Sequence, residues 1–271
     1  MDDPRTLLRQ ALSFQIDLLG PIVPIESGDD PAGAVVSATE PDLYSHPPAF
    51  PTPTTASDAV SAPSSDKSPY ERIEALISPS SPLHALHTLD AVRDYVANTI
   101  LIPLDETRIQ PVFGVGNPEA DLMVIGEAPG ADEDEQGEPF VGRAGQLLTK
   151  ILDAIGFSRD HVYIANILKS RPPNNREPQP DEVAAHIPIL YKQIALIRPR
   201  LILCVGRTAG NNLLKKQASL AALRGTFNDF YGIPTMVTYH PAALLRNPEW
   251  KRPTWEDVQK LRARYDELTA G

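Results

Sequence analysis

Four short, almost wholly apolar runs constrain this chain most, at 122–126, 162–166, 201–206 and 235–239. A run that is apolar at nearly every position, and not only at alternate ones, suits a strand covered on both faces. Amphipathic helical patterns lie between and after the runs, at 143–155, 181–197, 207–216 and 255–268, with shorter helical segments ahead of them at 70–77 and 86–98. This alternation predicts the α/β class, as a three-layer α/β/α sandwich around a central, mainly parallel four-stranded sheet. Ligands of such sheets bind beyond the carboxyl ends of the strands.

The first part of the chain has a different character. Residues 4–19 read as an amphipathic helix, with Asp3 to cap it, Pro4 in its first turn and Gly20 to end it. It suits docking on the protein's own body or on a partner protein. Residues 21–69 are rich in Pro, Ser, Thr, Ala and Asp. They carry too little apolar surface to offset the entropy of ordering, so a disordered tether is expected there. Three units follow from this: a helix over 1–20, a tether over 21–69 and a folded α/β domain over 70–271.

Charge follows the same division. The net charge of −10 argues at first against a polyanionic partner. Residues 1–90, however, hold thirteen acidic and four basic side chains, a net of −9. The remainder holds 22 acidic and 21 basic, a net of −1, so the second part of the chain is free to bind a polyanion. Nothing in the sequence is long and apolar enough to span a bilayer, and the acidic start, Met1-Asp2-Asp3, does not suit a secretory signal.

The strand ends carry the chemistry. After the first run comes Gly126-Glu127-Ala128-Pro129-Gly130, then Glu133, then Pro139-Phe140-Val141-Gly142. After the second comes Asn166, followed by Lys169-Ser170-Arg171-Pro172-Pro173-Asn174-Asn175-Arg176. After the fourth comes His240-Pro241-Ala242, then Leu245-Arg246-Asn247. A carboxylate, an amide and an imidazole thus meet at one sheet edge, as an active site requires. The first loop lacks the Gly pattern of dinucleotide binding and the Gly-Lys-Ser/Thr of a phosphate loop. No Gly-x-Ser-x-Gly elbow is present.

Gly-Glu-Ala-Pro-Gly, Pro-Phe-Val-Gly-x-Ala-Gly-Gln-Leu-Leu, Asn followed by Lys-x-Arg-Pro-Pro-x-Asn-Arg, and His-Pro-Ala-x-Leu-Leu-Arg-Asn-Pro occur in that order. Together they resemble family 4 of the uracil-DNA glycosylases, over about 96–261. The resemblance implies a monofunctional glycosylase of base-excision repair, acting on uracil-containing DNA and leaving an abasic site. It implies that Phe140 stacks on the uracil, Asn166 reads its edge and Ala128 lies beside it. His240 would stabilise charge on the leaving base. Glu127 and Glu133 are the carboxylates left to orient water or stabilise the sugar cation, Glu127 for the water and Glu133 for loop structure or the sugar. DNA contacts are implied at Pro129, Gly130, Lys169, Arg171, Arg176, Leu245, Arg246 and Asn247, with Leu245 in the segment that wedges into the duplex. A non-catalytic or polymerase-associated DNA-binding module of the same fold, and a glycosylase for another deaminated base, are the alternatives.

One departure stands out. Family 4 enzymes typically hold a four-iron, four-sulfur cluster on four cysteines, and the matching positions here are Thr99, Ile102, Ser170 and His186. The chain has one cysteine, Cys204, inside the third apolar run. Thiolates hold such clusters, so no metal and no cofactor are expected. A monomer in the bacterial cytoplasm, with no membrane partner, completes the expectation.

Overall fold

A computed structural model describes residues 67–270. The expected N-terminal helix, and nearly all of the expected tether, lie outside the described residues. The last positions assigned to the tether belong to the folded domain instead. Ser68 caps helix α1 (Pro69–Glu74) in a reciprocal capping box with Glu71, and Pro69 is its first residue.

The sheet has six strands in the order β1-β3-β2-β4-β6-β5. They are β1 (Val115–Gly116), β2 (Leu122–Gly126), β3 (Tyr163–Asn166), β4 (Leu201–Val205), β5 (Phe227–Phe230) and β6 (Ile233–Thr238). The four inner strands are the expected ones and are mutually parallel. The expected count of four needs correction, because β1 and β5 add antiparallel edges. Neither edge is a continuous apolar run. β1 has two residues, and Phe227–Phe230 is only partly covered.

Alternate side chains of each inner strand feed two cores. Met123 and Ile125 of β2 pack with Tyr163, Ala165, Ile202 and Cys204 on one face. There they meet α1, α2 (Leu89–Asn98) and α5 (Pro180–Ile197), through Ile73, Val92, Leu190 and Ile194. Leu122 and Val124 face the other way with Ile164 and Leu203, against α4 (Arg143–Ala154) and α9 (Lys251–Thr269), through Leu148, Leu152, Val258 and Leu261. The result is the three-layer sandwich. Each side chain fully buried in it contributes roughly 2 kcal/mol of transfer free energy. Among the described residues, no helix is long and apolar enough to cross a membrane.

The short elements place the loops. They are α3 (Ala131–Gln136), α6 (Arg207–Leu214), α7 (Leu220–Leu223) and α8 (Pro241–Arg246). β2 lies between β3 and β4, so the chain switches direction across the sheet at β2, and a crevice opens at the carboxyl ends there.

Candidate active site

A cleft of about 690 Å³ opens at that edge. Eleven of the expected residues line it: Glu127, Ala128, Pro129, Gly130, Glu133, Phe140, Asn166, Arg176, His240, Leu245 and Arg246. Asn166 ends β3 and is 1% exposed, yet its Oδ1 has no hydrogen-bond partner among the described residues. A buried amide oxygen left unpaired costs free energy until a ligand meets it.

Phe140 forms one wall. Its backbone has a positive φ of 56°, uncommon for a bulky residue. Such strain persists only where the surroundings hold it. Arg159 supplies that hold, donating to the Phe140 carbonyl at 3.1 Å and to the Pro139 carbonyl at 2.8 Å. Gly145 allows the close approach, since a Cβ there would lie 1.8 Å from the Phe140 carbonyl oxygen. Gly126 does the same at the floor, where a Cβ would meet Asn166 Oδ1 at 2.3 Å and Phe140 Cζ at 2.6 Å.

His240 stands opposite, its ring centroid 5.6 Å from that of Phe140 and tilted by 32°. It caps α8, and its Nδ1 accepts the Ala242 amide at 3.1 Å. The neutral ring therefore carries its proton on Nε2. Burial first, and Arg246 second, lower its pKa to about 4, so the ring is neutral at physiological pH.

The two carboxylates differ. Glu133 is bound by backbone: its Oε1 accepts from Val141 at 2.9 Å and Gly142 at 3.1 Å, its Oε2 from Gly130 at 3.1 Å. It ties the two cleft loops together. Burial pushes the Glu127 carboxyl above its ordinary range, with Thr208 and Arg207 opposing and Glu177 adding to the rise. Thr208 also donates to Glu177 at 2.9 Å, and Arg207 pairs with Glu177 at 3.3 Å.

The expected DNA contacts need correction at one position, Lys169, and the surroundings of three others are set by bonds within the protein. Lys169 is fully buried, its Nζ donating to the Asn166 carbonyl at 2.8 Å and to Gln193 Oε1 at 2.7 Å. Burial lowers its pKa to about 7, and it cannot reach a phosphate from there. Arg171 lies outside the cleft lining, with its Nε bonded to Asn175 Oδ1 at 2.7 Å. Asn247 ends α8 and returns its side chain to the Ala243 carbonyl at 3.1 Å. Arg176 lines the cleft, and its guanidinium forks onto Glu182 at 2.6 and 2.8 Å. The cleft lining also includes Arg143, Asn175 and Asp132, which were not among the expected site residues. Arg143 fell on the variable position after Val141-Gly142, where its charge alone could have marked it.

The four positions matching cluster ligands cannot hold iron and sulfide. Among the described residues no group of three or more His, Cys, Asp or Glu side chains could hold a metal. Ser170 gives its hydroxyl proton to Asp105 Oδ1. His186 spends Nδ1 on the Lys169 amide at 2.9 Å and turns Nε2 toward Asp105. Thr99 and Ile102 have no donor that binds iron. Cys204 is buried in β4, and burial pushes its thiol pKa up.

A family model described as the uracil DNA glycosylase superfamily matches residues 113–260. The type-4 uracil-DNA glycosylase of Saccharolobus solfataricus is 43% identical over 186 residues, covering 65% of this chain and 86% of that protein. That of Archaeoglobus fulgidus is 39% identical over 184 residues, covering 65% and 92%. That of Thermotoga maritima is 40% identical over 179 residues, covering 65% and 93%.

Proposed function

Because this chain belongs to the uracil DNA glycosylase superfamily, we propose that it hydrolyses the N-glycosidic bond of deoxyuridine in DNA, releasing uracil and leaving an abasic site. The observation that carries this reading is the unpaired Asn166 Oδ1, buried in the cleft that Phe140 and His240 also line.

The chemistry follows from the residues. A base must leave the duplex stack to enter the cleft, which costs a few kcal/mol and favours weakly paired bases. Phe140, held in place by Arg159, covers one face of the pyrimidine. Asn166 Oδ1 accepts from uracil N3–H, while its amide N–H donates to O4. Cytosine presents the opposite pattern and leaves buried groups mispaired. As the glycosidic bond breaks, electrons move onto the uracil ring and the sugar becomes cationic. The proton on His240 Nε2 then meets growing charge at uracil O2, an interaction stronger in the transition state than in the ground state. Glu127 orients water toward the sugar, its raised pKa suiting a general base. Glu133 keeps the loop of Gly130 against the loop of Phe140. Arg143, Arg246 and Leu245 meet the DNA at the mouth of the cleft.

Uracil release from a single-uracil oligonucleotide tests the proposal. Wild type releases free uracil, whereas Asn166→Ala and His240→Ala, folded by circular dichroism, release it at least about a hundredfold more slowly. Wild type that is folded yet releases none would overturn it.

A further inference from the structure

All four positions that match cluster ligands converge on one buried carboxylate or its partner. The Thr99 carbonyl accepts from Arg108 Nη2 at 3.3 Å. The Ile102 amide donates to Asp105 Oδ2 at 3.4 Å. Ser170 Oγ donates to Asp105 Oδ1. His186 Nε2 lies 3.0 Å from that same oxygen, without the alignment of a full hydrogen bond. Arg108 completes the group, with Nη1 at 3.1 Å from both Asp105 Oδ1 and Ser170 Oγ. The side chains of Asp105, His186 and Arg108 are 0%, 1% and 6% exposed.

This group reaches the cleft by two bonds. His186 accepts the Lys169 amide through Nδ1, and Lys169 Nζ donates to the Asn166 carbonyl. Residues 168–170 follow β3 without helix or strand of their own, and their course is set by these side-chain bonds together with two backbone bonds, from the Leu168 amide to the Glu127 carbonyl at 3.1 Å and from the Val112 amide to the Lys169 carbonyl at 2.9 Å. Burial alone would raise the Asp105 pKa. The adjacent His186 ring, the Ser170 hydroxyl and the Leu101 amide hold it well below the usual carboxylate range.

We propose that Asp105 is a positioning residue for Asn166, and that the assembly of Asp105, Arg108, Ser170 and His186 gives the loop after β3 the bracing that its relatives' ligand positions would give through a metal cluster. The proposal rests on the glycosylase reading. Asp105 touches no substrate and acts through His186 and Lys169. A shift of the Asn166 carbonyl by an ångström displaces the amide that meets the base, and misplacement on that scale costs about a hundredfold in rate.

The test uses the full chain and an oligonucleotide with one uracil. Single-turnover release at saturating protein gives the rate of the chemical step, and binding to an abasic-site oligonucleotide gives affinity. Asp105→Asn keeps the volume and removes the charge. Ser170→Ala removes one donor, keeps the Asp105–Arg108 ion pair, and serves if Asp105→Asn fails to fold. The expected result is a chemical step slowed at least about tenfold in the folded variant, with abasic-site affinity within twofold of wild type. A variant with a lower melting temperature but a wild-type rate per folded molecule gives Asp105 a stabilising role alone and overturns the proposal. Wild type that releases no uracil defeats the glycosylase reading instead, so the two failures are distinguishable.

Discussion

At the scale of single residues, two carboxylates nine or fewer positions from one strand end have opposite duties because their surroundings differ. Glu133 is satisfied by three backbone amides, while Glu127 is desolvated beside Glu177. A base must be ionised to orient water, so uracil release rises with pH as Glu127 loses its proton. The raised pKa puts that limb above pH 4.5. His240 is already neutral there, because its own pKa is about 4. Glu127→Gln is expected to flatten the acid limb and lower the rate at least about tenfold, as a pH–rate profile would reveal. The same substitution should raise the melting temperature at neutral pH. An ionised carboxyl with a raised folded-state pKa costs stability once the pH exceeds its unfolded value. The basic residues separate as sharply. Arg246→Ala should reduce the salt dependence of DNA binding by about one phosphate contact, while Lys169→Ala should leave that slope unchanged. Sequence shows that Lys169 is charged but not that it points inward. The acceptors that draw it in, the Asn166 carbonyl and Gln193, come from two separate elements.

At the scale of elements, the inner strands were legible because continuous apolar runs have few other uses. β1 and β5 were not, since two residues, or four half-covered ones, show no period. The short helices α3 and α8 escaped for the same reason, although they bring Glu133 and Leu245 to the cleft. Strand ends gave Glu127, Asn166 and His240 because each lies at its strand's carboxyl end or within two positions of it. Arg159 went unseen, since it braces Phe140 from 19 positions away in a segment without chemical character. The junction of β2 with its loop brings two of the site's side chains close to one glycine. Gly126→Ala puts a methyl against both Asn166 Oδ1 and Phe140. The expected outcome is a loss of about ten- to a hundredfold in single-turnover rate, with a melting temperature that falls by only a few degrees, as a thermal melt would show.

At the scale of the whole molecule, the charge is separated from the chemistry. Residues 1–66 hold ten acidic side chains and two basic ones, a net of −8. That segment should repel DNA through its field. A chain beginning at Lys67 is expected to bind uracil-free DNA more tightly at low salt, with the difference shrinking as salt screens it. Filter binding across a salt series would measure this. The single cysteine is the other whole-molecule quantity, and it becomes informative only beside relatives whose ligand positions are occupied here by Thr99, Ile102, Ser170 and His186. A buried ionic group stands at those positions. The central claim is therefore a glycosylase whose cleft is assembled by protein atoms alone. Single-turnover uracil release by wild-type protein, prepared with ample iron and sulfide without oxygen and assayed for both in the same sample, tests it most directly. The account predicts full release at far less than one iron per chain; release that scales with bound iron, or none from folded protein, would contradict it.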